Sequence, residues 1–368
     1  MNFLDEDFWK SQDNFFAMNS IKSSWHEDVL NFCKCNNLNG KIILPTSGST
    51  SGPKLTLLDK SSMLLSAKSV NEHLSINQND LWLCCLPTHH VSGLSIYARA
   101  YDSSSKVISL ESKWNISDFY NSLKQNFVTI CSLVPAQLYD LVKSKFKPPN
   151  GLRALIIGGD HLNSELYRKS IDLGWPVLRT YGMTESCSQI ATEKIIGEGM
   201  SILDIWSLNI SPDSEILIKG LALFDGYLTL DTKKSIKYIT PINDDGWFQT
   251  GDYGIKENNR LITYGRSDNQ IKVLGEKVQL DKIISIISSR YDFDFTIIGI
   301  PDERNGMAIA MVTDDYSTAK SAVNEYNEIS ISIENISRII ELDKIPRNEL
   351  GKLNLRKVQE ILEKTKEA

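Results

Sequence analysis

Three short apolar runs, each stopped by a residue that cannot continue a strand, set the tightest limit on this fold. Residues 81–86 end at Pro87, residues 128–134 at Pro135, and residues 152–157 at Gly158-Gly159. Each reads as a strand buried on both faces. Longer amphipathic stretches, such as 61–74 and 116–125, flank and separate them. That order predicts a parallel sheet with helices on its faces. The pattern changes near residue 215. Residues 215–219, 221–228 and 260–264 read as shorter antiparallel strands, with a turn at Asn258-Asn259. Past Arg266 the chain mixes short strands and helices, with strands at 295–300 and 307–313 around the turn Asp302-Glu303-Arg304-Asn305-Gly306. The expected fold class is α/β: a large domain over residues 1–267, with parallel-sheet layers and a small antiparallel region, then a small α+β domain over 268–368.

Composition removes several alternatives. The 368 residues suffice for about two domains. With 41% hydrophobic and 23% charged residues, the chain is neither disordered, collagen-like nor a coiled coil. The net charge of -6 argues against a protein that coats nucleic acid. No run approaches the ~18 apolar residues of a membrane helix. The acidic start Met1-Asn2-Phe3-Leu4-Asp5-Glu6-Asp7 does not resemble a secretory signal. Cys33-Lys34-Cys35 and Cys84-Cys85 lack the two-residue gap of a zinc hook. Reduced thiols in a cytoplasmic protein are the expectation.

The first chemical signal is Thr46-Ser47-Gly48-Ser49-Thr50-Ser51-Gly52-Pro53-Lys54, which follows a strand-like run at 41–44. Glycines let several backbone N–H groups converge on one anion. The hydroxyls add donors, and Lys54 adds a positive charge suited to a phosphate. The spacing is not that of a P-loop, because Pro53 separates Gly52 from Lys54 and Leu55 stands where a metal-holding hydroxyl would be. A flexible Ser/Gly linker has no reason to follow a strand and end in Pro-Lys.

This loop resembles the phosphate loop of the adenylate-forming acyl-CoA synthetase superfamily. Six further motifs follow in the family's order. They are Pro87-Thr88-His89-His90-Val91-Ser92-Gly93, Gly158-Gly159-Asp160, Tyr181-Gly182-Met183-Thr184-Glu185, Thr250-Gly251-Asp252, Gly265-Arg266-Ser267-Asp268 and Pro346-Arg347-Asn348-Glu349-Leu350-Gly351-Lys352.

The resemblance implies a two-step reaction. A carboxylate attacks the α-phosphorus of ATP and releases pyrophosphate, then a thiol such as that of coenzyme A displaces AMP. The first step joins two anions, so the site must neutralise charge and align the groups. The loop residues Thr46, Ser47, Gly48, Ser49, Thr50, Gly52 and Lys54 would hold the triphosphate. Glu185 would ligate Mg²⁺, which takes hard oxygen ligands. Thr184 would touch the α-phosphate. Gly158, Gly159, Tyr181 and Gly182 would line the adenine. Asp252 would accept from the ribose hydroxyls, since a carboxylate suits a vicinal diol, and Arg266 would reach the ribose or phosphate. His90 would wall the acyl pocket; with His89 it has no third partner at a metal-binding spacing. Lys352 would bridge carboxylate and α-phosphate. Asp268 would be the hinge of a mobile small domain, with Lys272 and Gly275-Glu276-Lys277 beside the thioester-forming face.

Within the superfamily, the stretches 90–94, 132–138, 152–159 and 177–190 are closest to the o-succinylbenzoate–CoA ligases of menaquinone and phylloquinone synthesis. Such an acid carries a second carboxylate, for which Ser92, Gln137, Ser188 and Gln189 are the candidate partners. The alternatives are another aryl or acyl acid, loaded onto CoA or a carrier-protein thiol, and a non-catalytic binding protein; retention of Glu185 and Lys352 argues against the last. Relatives carry a hundred or more residues before the phosphate loop, against 45 here. A shortened N-terminal part, with a homodimer covering the apolar face it leaves, is the corresponding expectation.

Overall fold

A computed structural model describes residues 2–17, 24–45, 54–110, 114–160, 162, 164–230, 235–266, 270–274, 276–302, 306–347, 354, 357–358 and 360–361. The predicted phosphate-loop residues Thr46, Ser47, Gly48, Ser49, Thr50 and Gly52, the predicted hinge residue Asp268, and Lys352 lie outside them, as does the side chain of Arg266. Gly275 and the side chains of Lys272, Glu276 and Lys277 do so too.

The centre is one sheet of eleven strands. Its parallel half runs Val177–Met183, Ala154–Ile157, Ile130–Leu133, Leu81–Cys84 and Lys106–Ser109. Ile130–Leu133 and Ala154–Ile157 are buried along their whole length, which is why they read as continuous apolar runs instead of alternating ones. The antiparallel half continues from Val177–Met183 through Ser188–Glu193, Met200–Ile202, Arg260–Arg266, Phe248–Glu257, Glu215–Gly220 and Trp206–Ile210. The predicted parallel and antiparallel regions are thus joined edge to edge, and Val177–Met183 belongs to both.

A second sheet of five strands runs Phe15–Phe16, Lys41–Pro45, Lys54–Asp59, Gly226–Leu230 and Ile236–Ile239. Lys41–Pro45 and Lys54–Asp59 are antiparallel neighbours, with Pro45 opposite Leu55. The glycine-rich residues 46–53 therefore connect two strands, whereas a P-loop leads from a strand into a helix. The predicted strand at 221–228 is shorter than expected. Only Gly226–Leu230 is a strand. Before it the chain crosses between the sheets: Leu221 is exposed, Ala222 and Phe224 are buried, and the Phe224 amide donates to the Glu185 carbonyl.

Past residue 270 the chain packs on itself. The helices Leu280–Ser288 and Tyr316–Ile329 cover the strands Phe295–Asp302, Gly306–Thr313 and Ile336–Glu341, and the resulting core draws its buried residues only from Val273 onward. Lys169 forms an ion pair with Asp292 between the two parts.

Candidate active site

The strand Val177–Met183 ends in a tight turn, Thr184–Ser186, and returns as Ser188–Glu193. Only glycine can occupy position 182 at the bulge that opens this hairpin. A Cβ there would sit 1.7 Å from the Ser188 carbonyl oxygen, an impossible approach. The Ser186 hydroxyl accepts from the Met183 amide at 3.1 Å and lies 3.0 Å from the carbonyls of Met183 and Ser188. The turn is therefore held from inside, and Thr184 and Glu185 stand half-buried at the end of the sheet.

Two hydrogen bonds organise what surrounds them. The Tyr181 hydroxyl donates to Asp252 Oδ2 at 2.7 Å. Asp252 is buried, and its amide donates to Thr250 Oγ1, which in turn donates to the Ile216 carbonyl. Strand pairing puts the Arg266 backbone opposite Asp252. The predicted adenine and ribose residues therefore meet before any nucleotide is considered. On the other side of the turn, the Tyr227 hydroxyl donates to Glu185 Oε1 at 2.7 Å. The Lys54 ammonium lies 3.4 Å from the centroid of the same ring. Burial lowers the pKa of Lys54 below the ordinary lysine value, and the Glu185 charge opposes that shift.

His90 precedes the helix Val91–Ser103, half-buried, with its ring 4.4 Å from that of His89. The helix starts hard against the Pro87 turn: a Cβ at Gly93 would fall 2.3 Å from the Pro87 carbonyl oxygen. Gly158-Gly159 follows the strand Ala154–Ile157, next to the strand of Tyr181. His90 and both glycines thus stand at the carboxyl ends of parallel strands, where open α/β sheets place ligands.

The structure adds a residue that the sequence reading missed. Arg99, on the helix that His90 precedes, is 2% exposed. Its Nη2 donates to Ser188 Oγ at 2.8 Å, its guanidinium lies 5.9 Å from the Trp82 ring centroid, and its Nε has no partner. Among the described residues no carboxylate pairs with it. Burial pulls its pKa down to about 10. The Ser188 hydroxyl continues to Ser95 Oγ at 3.3 Å, which donates to the Ser92 carbonyl at 3.1 Å. Of the four candidates for a second carboxylate, Ser92 and Ser188 belong to this chain. Gln137 Oε1 accepts from the Val134 amide, and Gln189 Oε1 accepts from Thr192, so both oxygens serve the fold. A single charge amid Leu94, Ile96, Ala98 and Ala100 was the available signal for Arg99.

Among the described residues no group of three or more His, Cys, Asp or Glu side chains is placed to hold a metal. A lone half-buried carboxylate, Glu185, suits Mg²⁺, which takes one or two protein carboxylates and fills its other positions with phosphate and water. Thiolate or imidazole chemistry for a softer metal is not offered there.

The sequence that builds this site matches a known family. A profile described as AMP-binding enzyme matches residues 35–228, and the chain belongs to that family. More particularly, it is 29% identical over 370 residues to a 2-succinylbenzoate–CoA ligase of Staphylococcus epidermidis, covering 94% of this chain and 75% of the relative. A Bacillus pumilus protein of the same name is 28% identical over 84% of this chain and 67% of its own. Among solved structures, o-succinylbenzoate CoA synthetase of Bacillus subtilis with the acyl-adenylate intermediate OSB-AMP superposes with a TM-score of 0.73 at 25% identity, over 86% of this chain and 68% of the other. The same enzyme with ATP and magnesium gives 0.72 at 25% identity, over 86% and 69%.

Proposed function

We propose that this protein is an ATP-dependent, AMP-forming acid–CoA ligase acting on 2-succinylbenzoate. The observation that carries the substrate is Arg99. A buried guanidinium with no acidic partner among the described residues is costly in itself. It sits on the helix of His90 and bonds to Ser188, three residues past Glu185. An incoming dicarboxylate repays that cost with its second carboxylate, while its first reaches the α-phosphate.

In the first step, a carboxylate oxygen attacks the α-phosphorus and pyrophosphate leaves. Asp252 and Tyr181 orient ribose and adenine. Residues 46–53 and Lys54 hold the phosphates, and Thr184 steadies the α-phosphate. Mg²⁺, held by Glu185, would neutralise phosphate charge. Lys352 bridges the two anions as they approach. In the second step, the thiol sulfur of CoA attacks the acyl carbon, its proton is lost, and AMP leaves. We place the domain boundary at 267/268 with Asp268 as hinge, a reading supported by the separate core from Val273 onward. Arg266 then stands at the end of the large domain, near Asp252.

Pyrophosphate and AMP release against a panel of acids tests this. AMP formation that needs both 2-succinylbenzoate and CoA is expected. Release with benzoate or fatty acids, but not with 2-succinylbenzoate, overturns the substrate; absence of release with every acid tried overturns the reaction. Among the described residues no helix is long and apolar enough to cross a membrane. A cytoplasmic location accords with six unpaired thiols. A homodimer accords with the exposed Tyr238 and Ile239 on the edge strand Ile236–Ile239, and sedimentation checks it.

A further inference from the structure

Tyr227 lies in none of the motifs that carried the functional reading, yet it touches two of their residues. Its hydroxyl donates to Glu185 at 2.7 Å, and its ring stands under the Lys54 ammonium at 3.4 Å. The residue is 6% exposed, so its position is set by packing. Phe224 packs against its ring with centroids 4.7 Å apart. Strand register explains the second contact: Lys54 opposes Thr229, so Tyr227 is its diagonal neighbour on the same face. The first follows from the crossing segment, where the Phe224 amide fixes the Glu185 carbonyl at 2.8 Å.

We infer that Tyr227 is a positioning residue that aims the Glu185 carboxylate at the nucleotide-bound metal and seats the Lys54 ammonium beside the phosphates. The inference rests on the proposed reading of Glu185 and Lys54 as metal- and phosphate-facing groups. One Glu185 oxygen is engaged by the phenol, so the carboxylate cannot rotate freely and presents its other oxygen. A cation over the ring polarises the phenol, which strengthens its O–H as a donor. The two halves of the site are therefore coupled through one side chain.

The test separates the hydroxyl from the ring. Binding of a fluorescent ATP analogue is followed by anisotropy as Mg²⁺ is titrated, with no acid or CoA present. Tyr227→Phe is expected to raise the Mg²⁺ midpoint about tenfold, the loss of one charge-assisted hydrogen bond. It leaves Mg²⁺-free binding unchanged, because the ring still seats Lys54. Tyr227→Leu is expected to weaken Mg²⁺-free binding as well, about threefold, for loss of a half-buried cation–π contact. In a Glu185→Gln background, Tyr227→Phe is expected to produce no further shift of the midpoint. A wild-type Mg²⁺ midpoint retained by Tyr227→Phe overturns the inference and leaves the proposed function standing. So does an equal shift in both backgrounds, which marks a merely structural role. A wild-type protein that binds no analogue with or without Mg²⁺ overturns the proposed function and this inference together.

Discussion

The two sides of the turn 184–188 solve opposite problems. On the nucleotide side, each ionisable group described already has company: Tyr181 on Asp252, Tyr227 on Glu185, and Lys54 on an aromatic ring. On the proposed acid side, Arg99 is buried with a serine hydroxyl and no carboxylate among the described residues. On the reading proposed above, the first corner is organised before ligand arrives, and the second is completed by it. Preorganised groups cost little to use. A buried cation with no carboxylate partner among the described residues makes the empty protein less stable, and on the proposed reading it makes the correct ligand more valuable, because an analogue lacking the second carboxylate would leave the cation unmet.

That contrast breaks most visibly at Arg99. Arg99→Met is expected to cut kcat/KM for 2-succinylbenzoate by about 10²–10³, in the range of 3–4 kcal/mol for losing a buried charge partner. Turnover of benzoate, if the enzyme shows any, stays level. The empty variant should melt no lower than wild type, since replacing an unpaired buried charge with an apolar chain of similar volume is neutral or stabilising. A large drop in melting temperature with substrate use intact would mean that Arg99 serves the fold.

Gly182→Ala probes the shared hinge of both corners. A Cβ 1.7 Å from the Ser188 carbonyl must push the two strands apart. We expect a loss of about 3 kcal/mol or more in urea unfolding, with weakened binding of nucleotide and acid together. Damage confined to one ligand would show that the two corners are independent.

Tyr181→Phe removes one hydrogen bond from the organised side. It should raise the KM for ATP about fivefold, near 1 kcal/mol, and leave the KM for the acid unchanged. An equal rise in both would contradict the division drawn here.

Much of this could be read from residue order. The apolar runs announced the parallel half because their strands are buried on both faces, and the motifs at 181–185 and 250–252 marked residues that the fold brings together, Tyr181 on Asp252. What stayed hidden depends on register across sheets. Tyr227 meets Glu185 and Lys54 only because Gly226–Leu230 pairs with Lys54–Asp59, a neighbour some 170 residues away in the chain. Gln137 and Gln189 looked like free amides for the second carboxylate, and tertiary structure gave their oxygens to Val134 and Thr192. The seamless passage from parallel to antiparallel sheet at Val177–Met183 has no local signature either, since strand propensity carries no information on the partner's direction.

A pH effect contrasts the interiors on which the two corners are mounted. Cys33 lies under the sheet that carries Lys54, and Cys84 in the parallel half. Burial pushes both thiols up to about 11. Above pH 9 the unfolded chain loses these protons while the folded protein keeps them. The folded state then binds more protons, so stability falls as pH rises from about 9 to 11. Urea unfolding at pH 8, 9 and 10 should show this decline, and Cys33→Ala and Cys84→Ala should each flatten it. A group shifted by two units contributes at most about 2.7 kcal/mol across the whole window, and less where water reaches the thiol. Equal flattening means that both interiors exclude water alike. A slope untouched by Cys33→Ala but reduced by Cys84→Ala would show that the sheet that carries Lys54 is the wetter of the two, and the preorganisation of the proposed site would then have to come from its hydrogen bonds alone.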